Sequence, residues 1–425
     1  MKVLVLGSGG REHAIVDALV RSPHVSHVWA APGNGGTAAI AENVEGIVIE
    51  DGAGVASWAA ANGADLVVIG PEGPLCAGVA DFVAAAGIRV FGPGAKGAAL
   101  EGSKTFSKEL MARWNIPCGG GMSFTDEVAA LAYLREQGAP IVVKADGLAA
   151  GKGVTVAMEV ADAEAAVREC FSGRFGDAGT TVLVEEYLSG PEVSLLAFTD
   201  GLELAVLAPA QDHKRALDGD KGPNTGGMGV YSPVPIVTPE LLAEMTDILR
   251  RTVAALEGEG IIYQGMLYGG FILTKDGPKV LEYNARFGDP ETQVLLPLLE
   301  TDLASVMVAV AERRLGTVDL VFSEKRAVSV VLASGGYPGE YESGKVITGI
   351  ESAELINGVR VYHAGTAIND AGELVTAGGR VLNVTAVAPT FSQARDLAYE
   401  ACGLIRFEGM QYRRDIGMRA LNQER

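Results

Sequence analysis

The chain has 425 residues, with 53 Asp and Glu against 34 Lys and Arg, and a formal net charge of −19 at pH 7. A surface this acidic repels a polyanion, which excludes nucleic acid as a general partner and leaves any phosphate to be held locally, by backbone N–H groups and a few placed cations. The length allows about two to four domains and a substantial core.

At the N-terminus, the apolar stretch Met1-Lys2-Val3-Leu4-Val5-Leu6-Gly7 is too short for a signal peptide. No run approaches a membrane span, so a cytoplasmic protein without a membrane partner is expected. Residues 1–101 alternate β-branched runs (2–6, 25–30, 66–69, 88–91) with helical patterns (12–21, 55–62, 77–86). That alternation predicts a Rossmann-like parallel sheet with helices on both faces. Glycine, 56 residues in all, is at about twice its usual share. It clusters in the loops after the strands, at Gly7-Ser8-Gly9-Gly10-Arg11, Pro32-Gly33-Asn34-Gly35-Gly36, Gly70-Pro71-Glu72-Gly73-Pro74 and Gly92-Pro93-Gly94. Such loops converge on the carboxyl edge of the sheet, where ligands bind.

Gly7-x-Gly9 departs from a nicotinamide fingerprint, because Glu12 stands at the third glycine and Ala30-Ala31-Pro32-Gly33-Asn34 holds no acid for a ribose. The N–H groups of Gly9 and Gly10 at a helix start, with Arg11 beside them, suit a single phosphate monoester. A tight turn that needs glycine only for steric reasons stays equally open. His13 reads as a local hydrogen-bonding residue, and His24, His27 and His363 show no partner pattern.

From Ser103 the pattern becomes α+β. A helix through Trp114 precedes strands at 141–144 and 155–158, a helix at 163–171, and strands at 182–186, 193–198 and 202–207. A long polar loop over 210–230 and a helix at 239–256 follow, then strands at 267–274 and 279–284 paired around Lys275-Asp276-Gly277. After a helix at 303–313, residues 325–425 add short strands and one helix near 392–402. Cys76, Cys118, Cys170 and Cys402 are widely separated, which predicts reduced, buried thiols and no zinc site.

Three stretches carry chemistry. Lys144-Ala145-Asp146-Gly147-Leu148-Ala149-Ala150-Gly151-Lys152-Gly153-Val154 ends a strand with a lysine and continues as a glycine-rich loop with a second lysine. It lacks P-loop order, and reads either as a hairpin lid over a triphosphate or as a plain surface turn. Val184-Glu185-Glu186-Tyr187-Leu188-Ser189-Gly190-Pro191-Glu192 leaves a strand in extended form. Its free backbone groups can read an adenine edge, Glu185 can accept from the exocyclic amine, and Glu192 can accept two ribose hydroxyls; solvated acids at a strand end are the bland alternative. In Leu281-Glu282-Tyr283-Asn284-Ala285-Arg286-Phe287-Gly288-Asp289-Pro290-Glu291-Thr292-Gln293, strand alternation puts Glu282, Asn284 and Arg286 on one face. Two hard oxygen donors beside a guanidinium suit a Mg²⁺–phosphate site with a substrate carboxylate nearby.

In this order the three stretches resemble the ATP-grasp superfamily. Within it the chain resembles the phosphoribosylamine–glycine ligase family over nearly its whole length, most specifically through Gly222-Pro223-Asn224-Thr225-Gly226-Gly227-Met228-Gly229 and Arg286-Phe287-Gly288-Asp289-Pro290-Glu291-Thr292-Gln293. The resemblance implies an α/β and α+β multidomain fold, with a Rossmann-like domain over 1–101, a two-lobed ATP-grasp core over 102–324 whose lid subdomain covers about 120–190, and a small C-terminal α+β domain over 325–425. It implies Lys104 and Lys144 on the phosphates, Gly147, Gly151, Lys152 and Gly153 in the lid, Glu185, Glu186 and Leu188 at the adenine, and Glu192 on the ribose. Glu282 and Asn284 become Mg²⁺ (or Mn²⁺) ligands, with Arg286 on the acceptor carboxylate.

For the amine substrate, Gly9, Gly10 and Arg11 are expected on the phosphate, with Asn34, Gly35 and Glu72 near the ribose, while Asp212 and Lys214 face glycine or the triphosphate. Catalytic work then falls to Arg286, Lys144 and Asp212. One departure stands out: residues 266–274 lack the further acidic metal ligand that many superfamily members carry. The implied reaction phosphorylates glycine with ATP and passes glycyl phosphate to 5-phosphoribosylamine, in a monomer or weak homodimer with no fused partner domain. A different ATP-grasp ligase and a non-catalytic nucleotide sensor are the rival readings.

Overall fold

The computed structural model describes residues 1–147 and 153–423. Its N-terminal sheet is parallel throughout, with spatial order Glu42–Asn43, His27–Pro32, Lys2–Gly7, Leu66–Ile69, Arg89–Phe91. Val3, Leu4, Val5 and Leu6 are all fully buried, as expected where helices cover both faces. The strand order reverses beside Lys2–Gly7, so the loops Ser8–Gly10 and Gly70–Glu72 flank a crevice at the switch point.

The first lobe of the core is an antiparallel sheet in the order Gly121–Phe124, Val182–Glu186, Ile141–Ala145, Val154–Ala157. The helices Glu127–Gln137 and Val160–Glu169 close a separate small core around Leu134, Ile141, Val143, Val167, Val182 and Val184. The second lobe orders Leu204–Val206, Glu192–Thr199, Gly265–Thr274 and Gly277–Asn284. Its long helix, Pro239–Gly258, starts on Thr238, whose hydroxyl accepts the Leu241 N–H at 3.3 Å. The helix buries Met245, Ile248, Leu249, Val253 and Leu256, a stripe at helical spacing. A bulge between Gly270 and Phe271 shifts the last pairing so that Gly270 faces Glu282 while Phe271 faces Val280. Bulges re-aim side chains; here Tyr283, Ala285 and Phe287 turn into the core, and Glu282, Asn284 and Arg286 do not.

The C-terminal sheet, antiparallel in the order Gln211–Asp212, Gly229–Ser232, Arg326–Ala333, Arg380–Ala388, Val359–His363, borrows its first two strands from the segment expected as a polar loop. A hairpin of Arg215–Leu217 and Lys221–Asn224 lies between them. These strands are only two to four residues long, and Gly229–Ser232 is held by the remote strand Arg326–Ala333, so local periodicity could not reveal them. The helix Phe391–Cys402 packs Phe391, Ala394, Ala398 and Ala401 under this sheet with Val328, Val330, Leu382 and Val384. Among the described residues no helix is long and apolar enough to cross a membrane; the four cysteines are free, Cys170 and Cys402 buried as expected but Cys76 and Cys118 only half-buried.

The C-terminal and N-terminal parts are joined through two histidines. His13 Nδ1 accepts the His363 backbone N–H at 2.7 Å, and the rings meet edge-on at 5.3 Å. Gly36 lies against both rings, where a β-carbon would collide with them. Burial, helped by the neighbouring His363 and Arg360, pushes the His13 ring from 6.5 down to about 3, and burial pushes His363 down to about 4. Above pH 6.5 both rings are neutral in either state and contribute nothing. As pH falls below that value, the unfolded chain binds protons that the folded chain refuses, so stability is lost at about 1.4 kcal/mol per pH unit per ring. The thermal midpoint should therefore fall between pH 7 and 4.5, and His13→Gln should flatten that slope; the same slope in both proteins would contradict this.

Candidate active site

Arg286 is the best-anchored side chain of the site. Its Nη2 lies 3.1 Å from Asn284 Oδ1 and 3.0 Å from Glu101 Oε1, and its Nη1 donates to Phe287 O at 3.2 Å. Nε is 3.3 Å from Glu72 Oε2 but buried without a hydrogen-bond partner. Burial would lower the guanidinium, yet Glu101 and Glu72 raise it, so it stays charged. Burial also pushes Glu72 upward, but Arg286 and Arg11 outweigh it and hold that carboxyl below its usual range.

Glu282 is the negative centre among cations. Its Oε1 lies 3.6 Å from Lys214 Nζ, which also lies 3.4 Å from Glu192 Oε2. Lys214 first, then Lys144, Lys104 and Arg286, hold the Glu282 carboxyl below its ordinary value against burial. The side chain keeps 43 % of its surface exposed, so water screens these fields. Lys214 is held well above its usual value by Glu282, Asp212 and Glu192 despite burial. Asp212 moves the other way: burial, joined by Glu291, Glu192 and Glu282 and opposed by Lys214, lifts it to about 7.

The first lobe brings the lysines. Lys144 Nζ is 2.5 Å from Glu185 Oε2 and donates to Leu281 O at 3.2 Å, which ties the two lobes together beside Glu282. Lys108 pairs with the other Glu185 oxygen and donates to Gly119 O at 2.6 Å. Burial would raise the Glu185 carboxyl, but Lys144 and Lys108 hold it below its usual value. That carboxylate is thus engaged by two ammonium groups, and Glu186 accepts the Gly120 N–H at 3.2 Å, while Leu188 packs at Gly119. Lys108 was not foreseen; its spacing of four from Lys104 on the helix Lys104–Arg113 was the available signal.

Lys104 Nζ donates to Gly147 O at 2.7 Å, and burial pulls the ammonium below its normal value against Glu282 and Asp146. Gly147 has φ +86°, a left-handed conformation that favours glycine. Asp146 accepts the Thr105 and Gly147 N–H groups at 3.1 and 3.0 Å, pinning the start of the loop to the helix. Ala145 N donates to Gly153 O at 2.8 Å, closing its base. Gly151 and Lys152 lie outside the described residues.

Around the N-terminal crevice, carboxylates meet the helix start. Gly9 N donates to Glu12 Oε2 at 2.6 Å and Arg11 N to Asp289 Oδ2 at 3.2 Å. Arg11 itself pairs with Glu12 at 2.5 Å and donates to Phe287 O at 3.1 Å. Burial raises Asp289, but Arg380 and Arg11 outweigh it and hold the carboxyl low. Arg380, from the C-terminal sheet, donates to Gly226 O and Asp289 O at 2.7 and 2.8 Å. Asn34 is committed to architecture: its Nδ2 donates to Ser8 O and His363 O, both at 2.9 Å, and its Oδ1 accepts the Gly36 N–H. Gly35 N donates to Thr366 O at 3.2 Å. Gly9, Arg11, Asn34, Gly35, Glu72 and Arg286 therefore share one neighbourhood, and Lys104, Lys144, Lys214, Glu282 and Asp212 an adjoining one.

Residues 1–101 match the N domain of phosphoribosylglycinamide synthetase, residues 102–292 its ATP-grasp (A) domain and residues 327–419 its C domain. The chain belongs to the phosphoribosylglycinamide synthetase family. It is 51% identical over 424 residues to a phosphoribosylamine–glycine ligase of Nostoc sp., covering 99% of each chain. A ligase of the same name from Brucella melitensis is 50% identical over 426 residues, covering 100% of this chain and 99% of the relative. The crystal structure of a phosphoribosylamine–glycine ligase from Thermotoga maritima superimposes with a TM-score of 0.85 at 33% identity, over 98% of this chain and 100% of that one. The biotin carboxylase domain of a Hydrogenobacter thermophilus 2-oxoglutarate carboxylase shares the fold at 19% identity, with a TM-score of 0.72 over 97% of this chain and 91% of that one.

An ATP-grasp fold brings use of ATP with a divalent cation, and the residues present fit one. Glu282 is held ionised and Asn284 offers an amide oxygen beside it. Among the described residues no group of three His, Cys, Asp or Glu is poised as a closed metal cage. A hard cation held by one or two protein oxygens, completed by phosphate and water, matches that sparse donor set.

Proposed function

We propose that the chain joins glycine to 5-phosphoribosylamine with ATP, through glycyl phosphate, giving glycinamide ribonucleotide, ADP and phosphate in purine biosynthesis. The observation that supports this most is the meeting of Lys104, Lys144, Glu282, Asn284 and Arg286 from three separate elements, in a member of this family. A carboxylate is a poor electrophile, and phosphorylation gives it a leaving group. The charge that develops on the transferred phosphoryl group must be neutralised where it forms, which is work for Lys104 and Lys144. Mg²⁺, or Mn²⁺ on the same donors, held by Glu282 and Asn284 would add charge neutralisation at the phosphate oxygens.

Arg286 takes the glycine carboxylate, its Nε–H, which makes no hydrogen bond beside Glu72, supplying a donor. Glu185, Glu186 and Leu188 face the adenine, and Glu192 the ribose. Gly147, Gly151, Lys152 and Gly153 cover the triphosphate and keep water from the acyl phosphate. Gly9, Gly10, Arg11, Asn34, Gly35 and Glu72 hold the phosphoribosyl part. Asp212, lifted to about 7 beside Lys214, takes up the proton shed as the amide forms. The reading also carries a cytoplasmic monomer or weak homodimer that needs neither nucleic acid nor membrane.

ADP should form only when ATP, glycine and freshly made phosphoribosylamine are all present, with one ADP per glycinamide ribonucleotide. Chelation with EDTA should abolish it, and excess Mg²⁺ or Mn²⁺ restore it. ADP release with another carboxylate in place of glycine, at an equal rate, would assign a different ligase.

A further inference from the structure

Arg286 lies two residues beyond the end of its strand, and a side chain of that length has many rotamers to lose. Glu101, in the last turn of the helix Ala95–Gly102, restricts it. One oxygen of that carboxylate accepts the Ala285 N–H at 2.7 Å, and the other lies 3.0 Å from Arg286 Nη2. A single rigid group thus grips both the main chain at 285 and the guanidinium at 286, which sets the angle of the fork against the strand. Asn284 Oδ1 and Phe287 O take further donors, and the Nε, buried and without a hydrogen bond, keeps only its ion pair with Glu72 at 3.3 Å.

We propose that Glu101 is a positioning residue that fixes the Arg286 fork for the substrate carboxylate, and so sets the affinity for glycine and not for ATP. The inference rests on the reading that Arg286 binds glycine. Its energetics point to function: the Glu101 side chain is 7 % exposed, burial pushes its carboxyl upward, and buried ion pairs can usually be exchanged for neutral residues of similar volume at little cost in stability. A group disfavoured where it stands, yet bonded to the substrate-facing arginine, is retained for orientation.

Glu101→Gln keeps the volume but can present only one acceptor, so either Ala285 or Arg286 loses its partner. The glycine KM should rise about tenfold while the ATP KM stays within about twofold. The thermal midpoint should fall by only a few degrees, because Glu72 still faces the guanidinium once Glu101 is neutral. Glu101→Asp, one methylene too short to span both donors, should shift glycine KM in the same direction, and decides the matter alone if the Gln protein does not fold. In a Glu101→Gln, Arg286→Lys double variant, the Gln change should add nothing to the effect of Lys. An unchanged glycine KM in the Gln or Asp protein, with Arg286→Lys alone raising it, would overturn the inference. So would a joint rise of both KM values with a lowered midpoint, the mark of a structural role. If Arg286→Lys also leaves glycine KM unchanged, the reading of Arg286 itself fails.

Discussion

Glu282→Gln should lower kcat on the order of a hundredfold or more while leaving metal-free ATP bound at least as tightly as before. The two halves of this expectation come from one arrangement. Glu282 lies 3.6 Å from Lys214 and in the fields of Lys144, Lys104 and Arg286. Its negative charge opposes a bare triphosphate as surely as it attracts a cation. Removing that charge at constant volume leaves a more positive cleft, so ATP in EDTA gains. Turnover in Mg²⁺ falls because the oxygen that would hold the cation has been weakened. A variant that lost metal-free ATP binding as well would point to a collapsed cleft, and one that kept full turnover would remove Glu282 from the reaction.

Arg286→Ala should raise the glycine KM about a hundredfold, with a smaller change for ATP. The alanine variant has a second consequence. It leaves the buried Glu101 without its paired cation and Glu72 with Arg11 alone, and an uncompensated buried charge costs about 3–5 kcal/mol, so the protein should also melt earlier. Arg286→Lys separates the two effects. It keeps the charge but loses the planar fork, so stability should largely return while glycine affinity does not. Normal glycine kinetics in the lysine variant would remove the carboxylate role; equal melting of both variants would contradict the charge account. Initial rates against glycine, with thermal melts of the same preparations, measure both.

Much of this site was legible in the sequence because its elements are local. Alternation set Glu282, Asn284 and Arg286 on one face, and the bulge opposite Gly270–Phe271, just before Glu282, turns that face away from the core that buries Val280. The parallel sheet was legible because each β-branched run is followed by a helical run and a glycine loop. What escaped depends on distance along the chain. Glu101 meets Ala285 across 184 positions and Arg11 meets Asp289 across 278, and no periodicity links such pairs. The role expected of Glu185 shows the same limit: its place at a strand end was visible, but its two lysine partners come from a helix and a neighbouring strand. The segment over 210–230 reads as a loop because its strands are two to four residues long, and Gly229–Ser232 finds its second partner only in the remote strand Arg326–Ala333.

The most direct test of the account is a Mn²⁺ titration followed by electron paramagnetic resonance in the presence of ADP, comparing the native protein with Glu282→Gln. The native protein should quench the free-ion signal at one equivalent, and the variant should need far more Mn²⁺ while still binding ADP. Equal Mn²⁺ affinity in the two proteins would show that the cation sits elsewhere, and the proposed division of labour between Glu282, Asn284 and the lysines would be wrong.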